Sequence, residues 1–167
     1  RPGKYMASSD EIYLTIEGKG GHAAMPEKLV DPVIITSHIL IALQQIVSRK
    51  SSPKTPSVLS FGNISGKGAT NVIPDFVDVA GTFRTFDEKW RAEALVLITQ
   101  MAEGIAASMG AKCKVRIEKG YPYLFNDPAY TDRNRSAAQE YLGAENVVDL
   151  DLWMASEDFS FYSQNVK

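Results

Sequence analysis

Between residues 11 and 18 the chain alternates. Ile12, Leu14 and Ile16 fall on one face, and Tyr13, Thr15 and Glu17 fall on the other. A period of two predicts a half-buried strand. Gly18-Lys19-Gly20-Gly21-His22 then turns the chain, and Asp31-Pro32 supplies a cap and a first-turn proline for a helix reaching about Arg49, where Lys50-Ser51-Ser52-Pro53 stops it. A second strand is predicted over Pro56 to Ser65, a loop over Gly66 to Asn71 closed by Pro74-Asp75, and a third strand over Phe76 to Thr85 with Val77, Val79 and Phe83 on one face. Asp87 caps a second helix, in which Trp90, Ala94, Ile98, Met101 and Ile105 keep helical spacing until Gly110 ends it. A fourth strand, Lys112 to Glu118, alternates Cys113, Val115 and Ile117 with Lys112, Lys114 and Arg116.

Strand, helix, strand, strand, helix, strand with right-handed crossovers gives an α+β, ferredoxin-like βαββαβ unit. Its sheet is four-stranded and antiparallel, with both helices on one face. The expected domain covers residues 11–119. Residues 120–167 differ in grammar: Tyr121-Pro122-Tyr123, a helix from Pro128 to Leu142, a short strand near Val147 to Leu150, then Ser156 to Tyr162. They are expected to be an incomplete part of a second domain.

The first helix is apolar over more of its circumference than one sheet contact requires. Val33, Leu40, Leu43 and Val47 form one stripe, Ile35, Ile39, Ala42 and Ile46 the next, and Ile34 and Ile41 widen it. A surplus apolar face predicts a partner, and His38 within it reads as structural or interfacial. With the strand of residues 56 to 65 at a sheet edge, a homodimer through that strand and helix 31–49 is expected.

The chain has 167 residues, 44% of them hydrophobic, enough for one domain and a fraction. A net charge of -2 with scattered basic residues offers no case for nucleic acid or an anionic membrane. Ser, His and Gln interrupt the longest apolar stretches, so no membrane span is expected. Cys113 is the single cysteine; its alternation with Val115 and Ile117 predicts a buried thiol, and one cysteine fits a reducing, cytoplasmic setting. The opening Arg1-Pro2-Gly3 and the closing Val166-Lys167 look cut, as expected of a piece of a longer protein.

Two histidines and one core cysteine, with no His-x-Asp motif or close His pair, predict no metal site in this chain. The glycines at 18, 20 and 21 make a poor dinucleotide fingerprint, because the helix starts about ten residues late. Gly66-Lys67-Gly68 lacks the spacing of a phosphate loop. Three polar groups remain: His22 on the glycine turn, Asn71 between the second and third strands, and Arg84 opposite the Val77, Val79, Phe83 face. An imidazole, a carboxamide and a guanidinium can respectively polarise a carbonyl, hold a polar group and grip a carboxylate.

The strings GKGGHAAMPEKLVDPV, SFGNISGKGATNVIPDFVDVAGTFRTFDE and MASEDFSFY occur in that order and span nearly the whole chain. Together they resemble the dinuclear-metal amidohydrolases of the aminoacylase and carboxypeptidase G type, in particular the hippurate hydrolase and indoleacetyl-amino-acid hydrolase subgroup. The resemblance implies a zinc-peptidase-like α/β catalytic domain interrupted by a ferredoxin-like lid that also dimerises. It implies hydrolysis of the amide of N-acyl amino acids or small peptides with two divalent metals, of zinc or manganese type, and a glutamate base. The metal ligands and that base are expected outside Arg1–Lys167, so no metal is expected on this chain and the piece alone should be inactive. His22 matches the lid histidine that stabilises the oxyanion in the partner's active site. Asn71 and Arg84 match positions that contact substrate, and Glu157 matches a motif near the metal pocket. Glu27 stands where many relatives carry histidine. Two other expectations stay open: a stand-alone ferredoxin-like module that dimerises or binds a metabolite, and a dipeptidase or carbamoyl-amino-acid hydrolase.

Overall fold

A computed structural model describes residues 1–165. Its strands are β1 (Gly3–Lys4), β2 (Asp10–Glu17), β3 (Gly21–His22), β4 (Ser57–Ser65), β5 (Val72–Ile73), β6 (Phe76–Thr85), β7 (Lys112–Lys119) and β8 (Phe125–Asn126). Its α-helices are α1 (Pro32–Gln45), α2 (Glu88–Ser108), α3 (Pro128–Leu142) and α4 (Ser160–Asn165). The main sheet runs β4-β6-β2-β7 with every pair antiparallel. This is the ferredoxin-like order, with β4 and β7 as its edges.

The alternation read along β2 sets the layers. Ile12, Leu14 and Ile16 are buried together with Val77, Val79 and Phe83 of β6, beneath Ile35, Ile39, Leu43 and Ile46 of the first helical segment and Ala94, Ile98 and Ala102 of α2. Both helices therefore cover one face of the sheet. Asp31 caps α1 by accepting hydrogen bonds from the amides of Val33 at 2.8 Å and Ile34 at 3.3 Å. Asp87 caps α2 through the Trp90 amide at 2.9 Å. After Gln45 the first helix loosens into a π turn over Ile46–Lys50, so it reaches the expected end with a changed last turn. Gly110, with φ of 81°, reverses the chain after α2.

By length and composition the run Pro32–Lys50 matches a membrane span. Here its inner face is core. Its outer face leaves Val33, Ile34 and Ile41 exposed, the last at 74%, as the broad stripe predicted. His38 is exposed on that side. Cys113 is half-buried and packs against the core, a shallower place than a fully buried thiol.

Beyond β7 the chain pairs β8 with β1 and forms α3 over the expected residues. The strand expected near Val147 to Leu150 does not form. A 3-10 turn at Ala144–Asn146 leads into irregular backbone in which Val148 and Leu150 are exposed, with no strand paired to them among the described residues. Apolar residues alone do not make a strand without a partner ladder. The pairing in this region lies further on, as a parallel bridge from Trp153 to Met6. Glu157 and Asp158 lie just before α4.

Candidate functional site

The loop after β2 is held by a second, two-stranded ladder that the apolar pattern did not announce. Gly21 and His22 of β3 pair with Ile73 and Val72 of β5. The Ala23 amide donates to the Asn71 carbonyl at 2.9 Å, and the Gly20 amide donates to Asp75 Oδ1 at 2.9 Å. Gly18 adds a bond from its amide to the Asp75 carbonyl at 2.8 Å. The approach is too close for a side chain: a Cβ at Gly20 would lie 2.4 Å from the Ile73 carbonyl oxygen. The glycine run is therefore required by packing as well as by the turn.

This ladder brings His22 and Asn71 side by side, both exposed. The Ala24 amide donates to His22 Nδ1 at 3.2 Å. With Nδ1 accepting, the neutral ring carries its proton on Nε2, which is left as a donor. Asp75, which the sequence marked only as closing a loop, is the anchor of the arrangement. Its signal was the Pro74-Asp75 pair beside a glycine-rich loop.

Arg84 lies elsewhere. It is near the far end of β6, eight residues from Phe76, or about 27 Å along an extended strand. It is partly buried on the open face of the sheet, and its Nη1 donates to the Met154 carbonyl at 2.9 Å. Ser9, Glu11, Tyr13, Thr82 and Ser156 share with it a groove of about 790 Å³. Glu157, the neighbour of Ser156, is exposed; its backbone carbonyl accepts from the Ser160 amide at 3.2 Å. The candidate residues thus fall into two separate groups. His22 and Asn71 stand at one end of the sheet, and Arg84 stands with the loop of residues 153–157 at the other.

Among the described residues no group of three or more His, Cys, Asp or Glu converges to hold a metal ion. Burial pushes the Cys113 thiol up to about 11, with Glu103 adding to the shift, so at neutral pH it is a protonated core group.

Sheet order, covering helices and a polar loop ladder define a ferredoxin-like domain joined to a further segment. The sequence pattern of the peptidase dimerisation domain matches residues 8–118, and the chain belongs to this family of M20 peptidase domains. An Arabidopsis thaliana protein named IAA-amino acid hydrolase ILR1-like 4 is 36% identical over 99% of this chain and 39% of its own length. The hippurate hydrolase of Campylobacter jejuni is 33% identical over 100% of this chain and 44% of its own. The crystal structure of Bacillus subtilis YXEP, described as a dinuclear metal binding peptidase of the M20 family, superposes with a TM-score of 0.74 at 28% identity. It covers 99% of this chain and 40% of that one. The chain therefore spans about two fifths of the length of such relatives, and the likeness includes the segment after β7.

Proposed function

We propose that this chain is the lid and dimerising part of a metal-dependent amidohydrolase that cleaves the amide of N-acyl amino acids or small peptides. The observation that carries the proposal is the separation of the two groups, with a free imidazole donor at one end of the sheet and the guanidinium at the other.

A second copy brings the two together. The edge strand β4 has no charged residue in nine, whereas the edge strand β7 carries Lys112, Lys114, Arg116, Glu118 and Lys119. Charges blunt an edge, so β4, flanked by the exposed apolar side of α1, is the edge left open for pairing. Antiparallel pairing of β4 with its twofold copy turns the molecules end for end. The Ser65 end, next to β3 and β5, then meets the partner's Ser57 end, where Val58 pairs with Arg84. This geometry supports a homodimer in which His22 and Asn71 of one copy serve the Arg84 end of the other.

In that arrangement Arg84 grips the substrate carboxylate through two parallel N–H donors, releasing Met154. Asn71 holds a polar group of the substrate. His22 Nε2–H donates to the oxygen that gains charge as the amide carbonyl is attacked. Glu157 lines the same end, beside the groove. The described residues do not fit a dinuclear metal centre. The metal pair, the base that activates water and the walls that select the acyl group are assigned to parts of the protein outside this chain. Residues 11–119 act as the lid, residues 120–167 belong to the catalytic body, and a cytoplasmic location fits the single cysteine.

The test is hydrolysis of a panel of N-acyl amino acids by the full-length gene product, with and without chelator and with added zinc or manganese. Chelator-sensitive release of free amino acid is expected. A folded full-length protein with no turnover on any substrate and any metal refutes the proposal and favours a binding module.

A further inference from the structure

The chain enters and leaves the main sheet beside one buried ion pair. Asp10, the first residue of β2, has no exposed surface, and Arg91, in the first turn of α2, is 6% exposed. Arg91 Nε donates to Asp10 Oδ2 at 2.8 Å and Nη2 to Asp10 Oδ1 at 2.6 Å. Nη2 also reaches the carbonyls of Ser9 at 3.3 Å and Gly120 at 3.2 Å, one on each crossing segment. Nη1 donates to Glu88 Oε2 at 2.9 Å, and Glu88 Oε1 accepts from the Tyr123 amide at 3.2 Å. One guanidinium thus ties the incoming strand, the outgoing strand and α2.

A buried ion pair is poor evidence for net stability, since apolar residues of similar volume often serve as well. What the fork supplies is geometry, because no apolar pair can accept or donate to two crossing backbones. That geometry reaches Arg84 by a short route. The Ser8 amide donates to the Thr85 carbonyl at 2.8 Å, and the Thr85 amide donates to Ser8 Oγ at 3.2 Å. The Ala7 amide lies 3.1 Å from the Trp153 carbonyl and 2.9 Å from that of Ala155. Both Arg84 and the loop of residues 153–157 therefore hang on residues 7–9, the segment that Arg91 fixes.

We infer that Arg91, held by Asp10 and Glu88, is a positioning residue that sets where Arg84 stands relative to Met154–Glu157. The inference itself needs only the geometry; its kinetic arm rests on the proposed function. The first test is amide hydrogen exchange on the 167-residue chain. R91K keeps a cation for Asp10 but loses the fork, and the pair D10L/R91M removes both charges without orphaning either. In both, the amides of Ser9, Gly120 and Tyr123 should exchange at least about tenfold faster, while those of Leu14 and Val79 stay protected. Unchanged junction amides in the folded R91K chain overturn the inference. Equal acceleration at Leu14 and Val79 also overturns it, because the role would then be stability alone. In the full-length enzyme R91K should raise KM by about tenfold with a smaller change in kcat, since the misplaced group grips the ground-state carboxylate. An unchanged KM overturns the link to Arg84. If the wild-type enzyme shows no turnover, the proposed function fails, and the exchange result still decides the role of Arg91.

Discussion

Adding one methyl group at Gly20 tests whether the β3–β5 ladder is what presents His22. In Gly20→Ala the new Cβ would sit 2.4 Å from the Ile73 carbonyl oxygen, 2.7 Å from the Pro74 carbonyl carbon and 2.9 Å from the Asp75 amide nitrogen. All three are backbone atoms, so no rotamer change relieves the overlap. Residues 73–75 must shift by most of an ångström, straining the Gly20–Asp75 and Ala23–Asn71 hydrogen bonds, each 2.9 Å long. Overpacking of this kind costs about 1–3 kcal/mol. For a chain of this size each kcal/mol lowers the melting temperature by about 2–4 °C. Gly62→Ala is the control, because nothing lies within 4 Å of its added Cβ, and a change within about 0.5 kcal/mol is expected. Urea denaturation reads the global cost, and hydrogen exchange at the Ala23 amide reads the local one. If Gly20→Ala is no worse than Gly62→Ala by both measures, close backbone approach is not what the glycine run serves.

Four further outcomes are expected. The folded chain holds the Cys113 proton to about 11, whereas the unfolded thiol releases it near 9; stability should therefore be whole below pH 9 and fall as pH rises through 11. The drop should be about 1 kcal/mol, the two-unit shift discounted for a half-exposed group, and a denaturation midpoint that stays flat across that range contradicts it. Asp87→Ala removes the acceptor of the Trp90 amide and should lower stability by about 1 kcal/mol in urea titrations, with Asp87→Asn close to wild type. Ile64→Lys places a charge on exposed β4 and should shift sedimentation of the full-length protein from dimer to monomer without changing its circular dichroism; a persistent dimer would move the interface away from β4. His22→Ala in the full-length enzyme should cut kcat about 100-fold with thermal stability unchanged, and an undiminished kcat removes the oxyanion assignment.

The main sheet was legible because each strand buries one face, and a period of two records which face that is. Ile12, Leu14 and Ile16 gave β2 its side, and Asp31 and Asp87 marked both helix starts. The short ladder of β3 and β5 left no such record. It buries little, and its pairing depends on backbone hydrogen bonds that glycines permit and no apolar period encodes. Near residues 147–150 apolar residues suggested a strand, but among the described residues no partner ladder pairs with them. His22, Asn71, Arg84 and Glu157 could be named as candidates from motifs, while their separation into two distant groups could not.

Local sequence therefore determined the order of the four main-sheet strands and their two covering helices, the buried face of each, the helix caps and the family. Solvent exclusion and backbone geometry act over a few residues, and neighbouring side chains report them. Tertiary structure alone decided that Asp10 meets Arg91 across 81 positions, that Arg84 reaches Met154 across 70, and that His22 stands about a strand length from Arg84. Those contacts are set by where the sheet brings distant segments together, and no residue carries its partner's number in its own neighbourhood.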